Sequence, residues 1–377
     1  MKAFLEYYKN QDIIPVHQII PRLNEHFQRR SGLFRQLGIP YKSIKGQRFL
    51  EFGPGTGQNA LFTAACEPEE LVLVDANPSS LKETSLTLQK SAFNEKRIKT
   101  IESTIEDFCT DTKYDFVLCE GVIPFQNDPE FIARKVSESV APGGLLIITC
   151  VDPVSYFSEV LRRTLKPYIL NFASSDNSLE TLVRFFEPDL KAVPAMTRKH
   201  EDWVQDVILH PYRGGKLLSI PQAISVLEDD FDVQGTSPNF LNDWRWFKQM
   251  TGDNPGTNEQ TINSYHDRAA AFLDYRINAR NLQAVDMKQL QSLCKAAYDA
   301  HFDAWDGVQP AIDEIVSITH KVIELIASTM PETSSSLIDW LRMVEELKSG
   351  KWTTPNEFAG FFGRGQQYIS FIKRELW

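Results

Sequence analysis

The run EFGPGTG, residues 51–57, places three glycines at alternate positions directly after a short apolar stretch, RFLEF. Glycine adopts backbone angles that other residues disfavour. Gly53, Gly55 and Gly57 therefore permit a tight turn that presents bare N–H groups to a ligand, just ahead of a helix starting near Gln58. Asp75 closes the next apolar stretch, LVLVDANP, about twenty residues beyond the glycines, where a carboxylate can accept hydrogen bonds from both hydroxyls of a ribose. Turn and acid together describe a site for a nucleotide-like cofactor, with Glu51 two positions before the first glycine. The glycines alone are weak evidence, because any strand-to-helix turn in a doubly wound sheet can use one or two. A second concentration of reactive side chains is RKHEDWVQDVILHPYRGG, which holds His200, Glu201, Asp202, Trp203, His210, Tyr212 and Arg213. There an imidazole can act as a base near neutral pH, an indole can stack on a substrate, and a guanidinium can clamp a carboxylate or phosphate. The competing reading is a solvated helix with surface charges. Near the end of the chain Gly363 and Gly365 flank Arg364 ahead of an expected helix. That arrangement can meet an anion, although a glycine-rich break between two helices is the more ordinary account.

These groups need a scaffold. From about Gly46 to Val151, short apolar runs (RFLEF, LVLVDA, RIKTIES, YDFVLCE, GLLIITCV) alternate with helical stretches, SSLKETSLTLQKSAF and DPEFIARKVSESV among them. That alternation predicts a parallel sheet covered on both faces. SIPQAISVLEDDFDVQGTSP reads as a helix followed by a sixth strand near Phe231 to Thr236, and DWRWFKQ as an antiparallel seventh. The long stretch between Val151 and Gly215 reads as an insertion at the carboxyl edge of the sheet, where ligands of open α/β sheets bind. From about Thr257 no strand pattern is seen, and Ile312, Ile315, Val316, Val322, Ile323 and Ile326 recur at helical spacing, which predicts the core of a bundle before it predicts a dimer face.

Acidic-x-G-x-G-x-G, an acid after the second strand, and Pro142-Gly143-Gly144 before the fifth resemble class I S-adenosylmethionine-dependent methyltransferases over roughly residues 46 to 151. The resemblance implies that Gly53, Gly55 and Gly57 approach the methionine part of S-adenosyl-L-methionine and that Glu51 helps fix its amino group. It implies that Asp75 holds the ribose and that Ala76 and Asn77 flank the adenine. Thr104 and Ile105 fall where many members carry an acidic side chain against the adenine. Glu120 and Gly121, after strand four, would face the methyl group, with Glu120 a second candidate base beside His200 and His210, and Trp203, Tyr212 and Arg213 would meet the substrate. The implied fold is a doubly wound, seven-stranded, mostly parallel sheet of Rossmann-like type with an inserted cover and a C-terminal helical region. Its expected divisions are a helical cap over 1–45, a cofactor domain over 46–250 with an insertion at 152–215, and a helical domain over 257–377. The implied activity is in-line transfer of a methyl group to an oxygen or nitrogen of a small molecule. Two alternatives stay open: a non-catalytic partner subunit of the same fold, and an NAD-binding oxidoreductase, whose fingerprint G-x-G-x-x-G sets the third glycine one residue later.

Composition narrows the partners. The 377 residues are 42% hydrophobic and carry a formal net charge of -10, which argues against broad binding to nucleic-acid phosphates. CEGVIPF after strand four also lacks the Asn/Asp-Pro-Pro-aromatic run that base-modifying relatives use. Five widely spaced cysteines without a C-x-x-C pair fit a reducing cytoplasm, and scattered histidines suggest no metal site. No apolar run is long enough to cross a bilayer, so a membrane location is not expected. A homo-oligomer joined through the C-terminal helices is the remaining partner expectation.

Overall fold

A computed structural model describes residues 20, 22–90, 97–174, 177–194, 196, 198–211, 213–250, 256–278, 282 and 285–375. The chain divides into two compact units, Met1–Val151 with Gly214–Tyr265 and Gln366–Trp377, and Asp152–Arg213 with His266–Gly365. Residues 152–213 join 266–365 in one unit, and residues 366–377 return to the unit that contains the sheet.

In the first unit, seven strands run β1 (Arg48–Phe52), β2 (Glu70–Asp75), β3 (Ile98–Glu102), β4 (Tyr114–Cys119), β5 (Val140–Cys150), β6 (Phe231–Ser237) and β7 (Gln367–Lys373). Their order across the sheet is β3-β2-β1-β4-β5-β7-β6. The first five pair in parallel, whereas β7 is antiparallel to both β5 and β6. The helices of the chain include α1 (Leu23–Gln36), α2 (Gln58–Ala65), α3 (Pro78–Gln89), α4 (Pro129–Ser137), α5 (Pro153–Leu170), α6 (Ser178–Lys191), α7 (Ile220–Leu227), α8 (Met287–Trp305), α9 (Gln309–Ile326) and α10 (Pro331–Lys348). Several start where the sequence supplies a cap: Asp128 accepts from the amide of Phe131 ahead of α4, and Ser219 and Gln222 form a capping box ahead of α7. Leu50, Leu71, Leu73, Val117 and Ile148 are fully buried, as a sheet covered on both faces requires.

The seventh strand is a correction. DWRWFKQ forms no strand; it is a loop and a short 3-10 turn whose Trp244 and Phe247 are 90% and 68% exposed. The seventh strand is instead QYISFIK, expected to be helical, which lies between β5 and β6. Its alternate pairing with Leu145 to Cys150 and with Phe231 to Ser237 buries Ile369 and Phe371, an apolar burial that the loop at 243–249 does not achieve.

The second unit is helical. Ile312, Ile315, Thr319, Val322 and Ile326 on α9 are buried, so the stripe is core packing. Trp340 on α10 donates its indole N–H to the carbonyl of Leu161 on α5, which satisfies a polar atom inside an apolar layer. Among the described residues no helix is long and apolar enough to cross a membrane.

Candidate functional site

Parallel pairing of β3, β2, β1 and β4 brings their carboxyl ends to one edge of the sheet. Glu51 and Phe52 precede the turn, Asp75 ends β2 beside them, and Glu120 follows β4. Gly53, Gly55 and Gly57 all adopt left-handed angles, with φ of +69°, +60° and +82°. At Gly57 a side chain is excluded twice over: besides the angle, a Cβ would stand 2.9 Å from the Cα of Thr84 on α3. Thr84 in turn donates its hydroxyl to the carbonyl of Gly55, 2.8 Å away, and so pins the turn against α3. The Cβ side of Gly55 is open, with no heavy atom within 4 Å. A ligand can therefore lie directly on the backbone there.

Asp75 is half-buried and accepts a 2.8 Å hydrogen bond from the amide of Asn77. Burial pushes its carboxyl up to about 6, against the opposing pull of the amides of Asn77, Gly55 and Ala76. It is thus charged at neutral pH and lies close to the glycine turn. Asn77 is used otherwise than expected: its side chain caps α3 by accepting from the amide of Ser79. Ala76 remains partly open beside it. After β3 the amide of Ser103 donates to the carbonyl of Asp75, which brings Thr104 to the same edge. The Thr104 hydroxyl is paired with the carboxylate of Asp107 at 2.7 Å, and Ile105 is buried.

Glu120 is the most heavily bonded of the predicted residues. Nη1 of Arg30, on α1, donates to both of its carboxylate oxygens at 3.0 and 2.8 Å, and the hydroxyl of Tyr368, on β7, donates to Oε1 at 2.6 Å. A carboxylate held this way is poorly placed to accept a proton from a substrate, which weakens the candidate-base reading. Gly121 takes a left-handed angle, φ +75°, and donates its amide to Thr149. Glu51 is 2% exposed, and its Oε2 has no hydrogen-bond partner. An orphaned carboxylate oxygen in the interior demands an explanation.

The remaining candidates belong to the second unit. His200 is half-buried at the start of the short helix His200–Trp203. Trp203 is packed edge-on against Phe186 and Phe362, so the indole is a core group and not an open stacking wall. His210 is 1% exposed; its carbonyl accepts from Arg163, and burial lowers its imidazole to about 4, which leaves it neutral at physiological pH and a weak base. Arg213 pairs with Asp303 and Asp306. Tyr212 lies outside the described residues. Arg364, considered for an anion, instead donates to the carbonyls of Ala271 and Ile277.

Sequence reading missed Arg30 and Tyr368. Arg30 sits in FQRRSG, a run that looks like a charged helix surface, and its partner is 90 positions away. For Tyr368 the usable signal was the β-branched and aromatic run YISFI.

Residues 50–148 match the family profile described as a methyltransferase domain. Over these residues the chain carries a methyltransferase domain. Among curated proteins, the ubiquinone biosynthesis O-methyltransferase of Vibrio atlanticus (strain LGP32) is 26% identical over 194 residues, covering 51% of this chain and 67% of that protein. The protein of the same description from Rickettsia felis (strain ATCC VR-1525 / URRWXCal2) is 31% identical over 143 residues, covering 38% of this chain and 52% of that one. The chain thus spans two-thirds of the length of the first relative and about half of the second. Among solved structures, the N-methyltransferase NodS from Bradyrhizobium japonicum WM9 in complex with S-adenosyl-L-homocysteine is 18% identical, with a TM-score of 0.32 over 39% of this chain and 74% of that one. The cofactor of the methyltransferase domain is S-adenosyl-L-methionine.

Proposed function

We propose that this methyltransferase domain transfers a methyl group to an oxygen or nitrogen of a small molecule, with oxygen favoured by the names of the curated relatives. The observation that carries the reading is Asp75 beside a left-handed glycine turn at the carboxyl ends of β1 and β2. When bound, S-adenosyl-L-methionine supplies a methyl carbon already attached to an excellent leaving group, so the chain's own task is to bind, align and exclude water. Asp75 would accept from the ribose hydroxyls, the amides of the turn would lie along the methionine portion, and Glu51 would receive the amino group. With Glu120 occupied by Arg30 and Tyr368, an acceptor that is already nucleophilic, such as an ionised phenol or a neutral amine, fits better than one needing a strong base.

Calorimetric titration tests this. Wild-type protein should bind S-adenosyl-L-methionine and S-adenosyl-L-homocysteine in preference to NAD, and Asp75→Ala should lose at least tenfold in affinity. A preference for NAD would overturn the reading. Methyl uptake from labelled cofactor into fractionated metabolite extracts would then identify the acceptor; binding without any uptake would favour the partner-subunit alternative.

A further inference from the structure

Four ionisable side chains, Glu51 and three others from separate parts of the sheet unit, lie close together. Glu51 comes from β1, Glu120 follows β4, Arg30 projects from α1 and Tyr368 from β7. The thiol of Cys119, the last residue of β4, is held protonated by burial, with the charges of Glu51 and Glu120 adding to the effect. The charges do not balance. Two carboxylates share a single guanidinium, and Arg30 gives both of its hydrogen bonds to Glu120. Glu120 therefore accepts three hydrogen bonds, whereas Glu51 keeps an unpartnered Oε2 in the interior.

A buried carboxylate without a cation of its own pays a large desolvation penalty, and the system answers by keeping the proton. Burial and then the nearby Glu120 push the Glu51 carboxyl up to about 8, with Arg30 opposing. On the reading that this edge holds S-adenosyl-L-methionine, we propose that Arg30 is a positioning residue that neutralises Glu120 and so leaves Glu51 as a protonated acid, which exchanges its proton for the cofactor's ammonium. The bookkeeping of atoms is simple: the neutral carboxyl and the incoming ammonium give a carboxylate–ammonium pair, and one proton passes to the buffer. Cofactor affinity therefore rises with pH through the neutral range until the ammonium itself begins to titrate.

The test counts protons and is independent of turnover. S-adenosyl-L-homocysteine, which carries the same amino acid end, is titrated at pH 7 by calorimetry in buffers of widely different ionisation enthalpy, phosphate and Tris. With the Glu51 carboxyl at about 8, roughly 0.9 proton should be released per ligand bound. Glu51→Gln should abolish the release. Arg30→Gln should also lower it strongly, because Glu51 and Glu120 would then share one proton and already carry the charge that the ammonium needs; Arg30→Lys should restore it. A purely structural role for Arg30 would weaken binding without moving the proton count. 5′-Methylthioadenosine, which lacks the amino acid, should bind with no release. Binding of S-adenosyl-L-homocysteine with no proton exchange overturns the inference while leaving the cofactor assignment intact, and absence of binding overturns both.

Discussion

Two buried arginine–carboxylate pairs, one in each unit, have opposite characters. In the helical unit, Arg162 and Asp189 are both fully buried and form two parallel hydrogen bonds, Nε to Oδ2 at 2.7 Å and Nη2 to Oδ1 at 2.9 Å. The remaining valences are also filled. Arg162 donates to the carbonyls of Ser158 and Phe361 and lies between the rings of Phe358 and Phe362, while Asp189 accepts from the amide of Gly360. In the sheet unit, Arg30 reaches Glu120 through Nη1 alone, its Nε and Nη2 are buried without a partner, and a second carboxylate stands nearby. The first pair is closed and ties α5 to α6. The second is an unbalanced group with capacity for one more cation, and it sits where a ligand is expected. Buried charge marks a structural joint when every donor is matched, and a site when the count is left uneven.

The largest expected effect comes from breaking the closed pair. Asp189→Asn leaves Arg162 charged and mismatched in the interior and should destabilise the protein by about 3–5 kcal/mol, read as a lower urea midpoint. A loss under 1 kcal/mol would mean that water reaches this pair, and the contrast with Arg30 would fail.

Next is Asp75→Ala, which should weaken S-adenosyl-L-methionine binding by about 1.5–3 kcal/mol, the worth of hydrogen bonds to a charged acceptor, with little change in thermal stability. The same carboxylate sets a pH dependence. Its carboxyl lies at about 6, above the ordinary 3.8, so the proton is held more tightly in the folded chain. The stability associated with that proton is present below about 4 and lost as pH rises through about 6. Cofactor binding runs the other way, because it requires the ionised acceptor. Cofactor affinity should fall as pH drops through about 6, and Asp75→Ala should flatten that limb of the profile.

How much of this was legible from the residues depends on the range of the contacts. EFGPGTG and LVLVDANP declare themselves because turn and acid are each encoded within a few residues, and parallel pairing of β1 with β2 brings them together. The order of β1 to β6 follows in the same way from alternating apolar runs and helices. β7 was lost because its identity is decided by partners more than a hundred positions away: Tyr368 opposes Thr149 and Ser237. DWRWFKQ was mistaken for that strand because aromatic spacing imitates alternation, yet nothing pairs with it. Trp203 and His210 look reactive by type, but the aromatic ring packing around Trp203 and the burial of His210 override type. Arg30 shows the reverse: an ordinary residue in a charged run, made consequential by a partner that no local pattern announces.

The smallest expected effect sharpens the comparison with a third arginine. Arg364 has no carboxylate among its hydrogen-bond partners, and Nε and Nη2 donate to the backbone carbonyls of Ala271 and Ile277 at 3.0 and 2.6 Å. Burial lowers its guanidinium from the ordinary value, and Asp274 opposes the shift. Two of its donors are thus used by the backbone, and Gly363 sits hard against Ser155, where a Cβ would clash with the carbonyl oxygen. Gly363 thus serves chain packing, Gly365 takes a left-handed angle, φ +61°, and the guanidinium closes a loop. Arg364→Ala should cost about 1–2 kcal/mol through two carbonyls left without their donor, with affinity for S-adenosyl-L-homocysteine unchanged. If affinity instead fell while stability held, matched hydrogen bonds would no longer separate structural arginines from those that serve a ligand, and the distinction drawn between Arg162 and Arg30 would lose its basis.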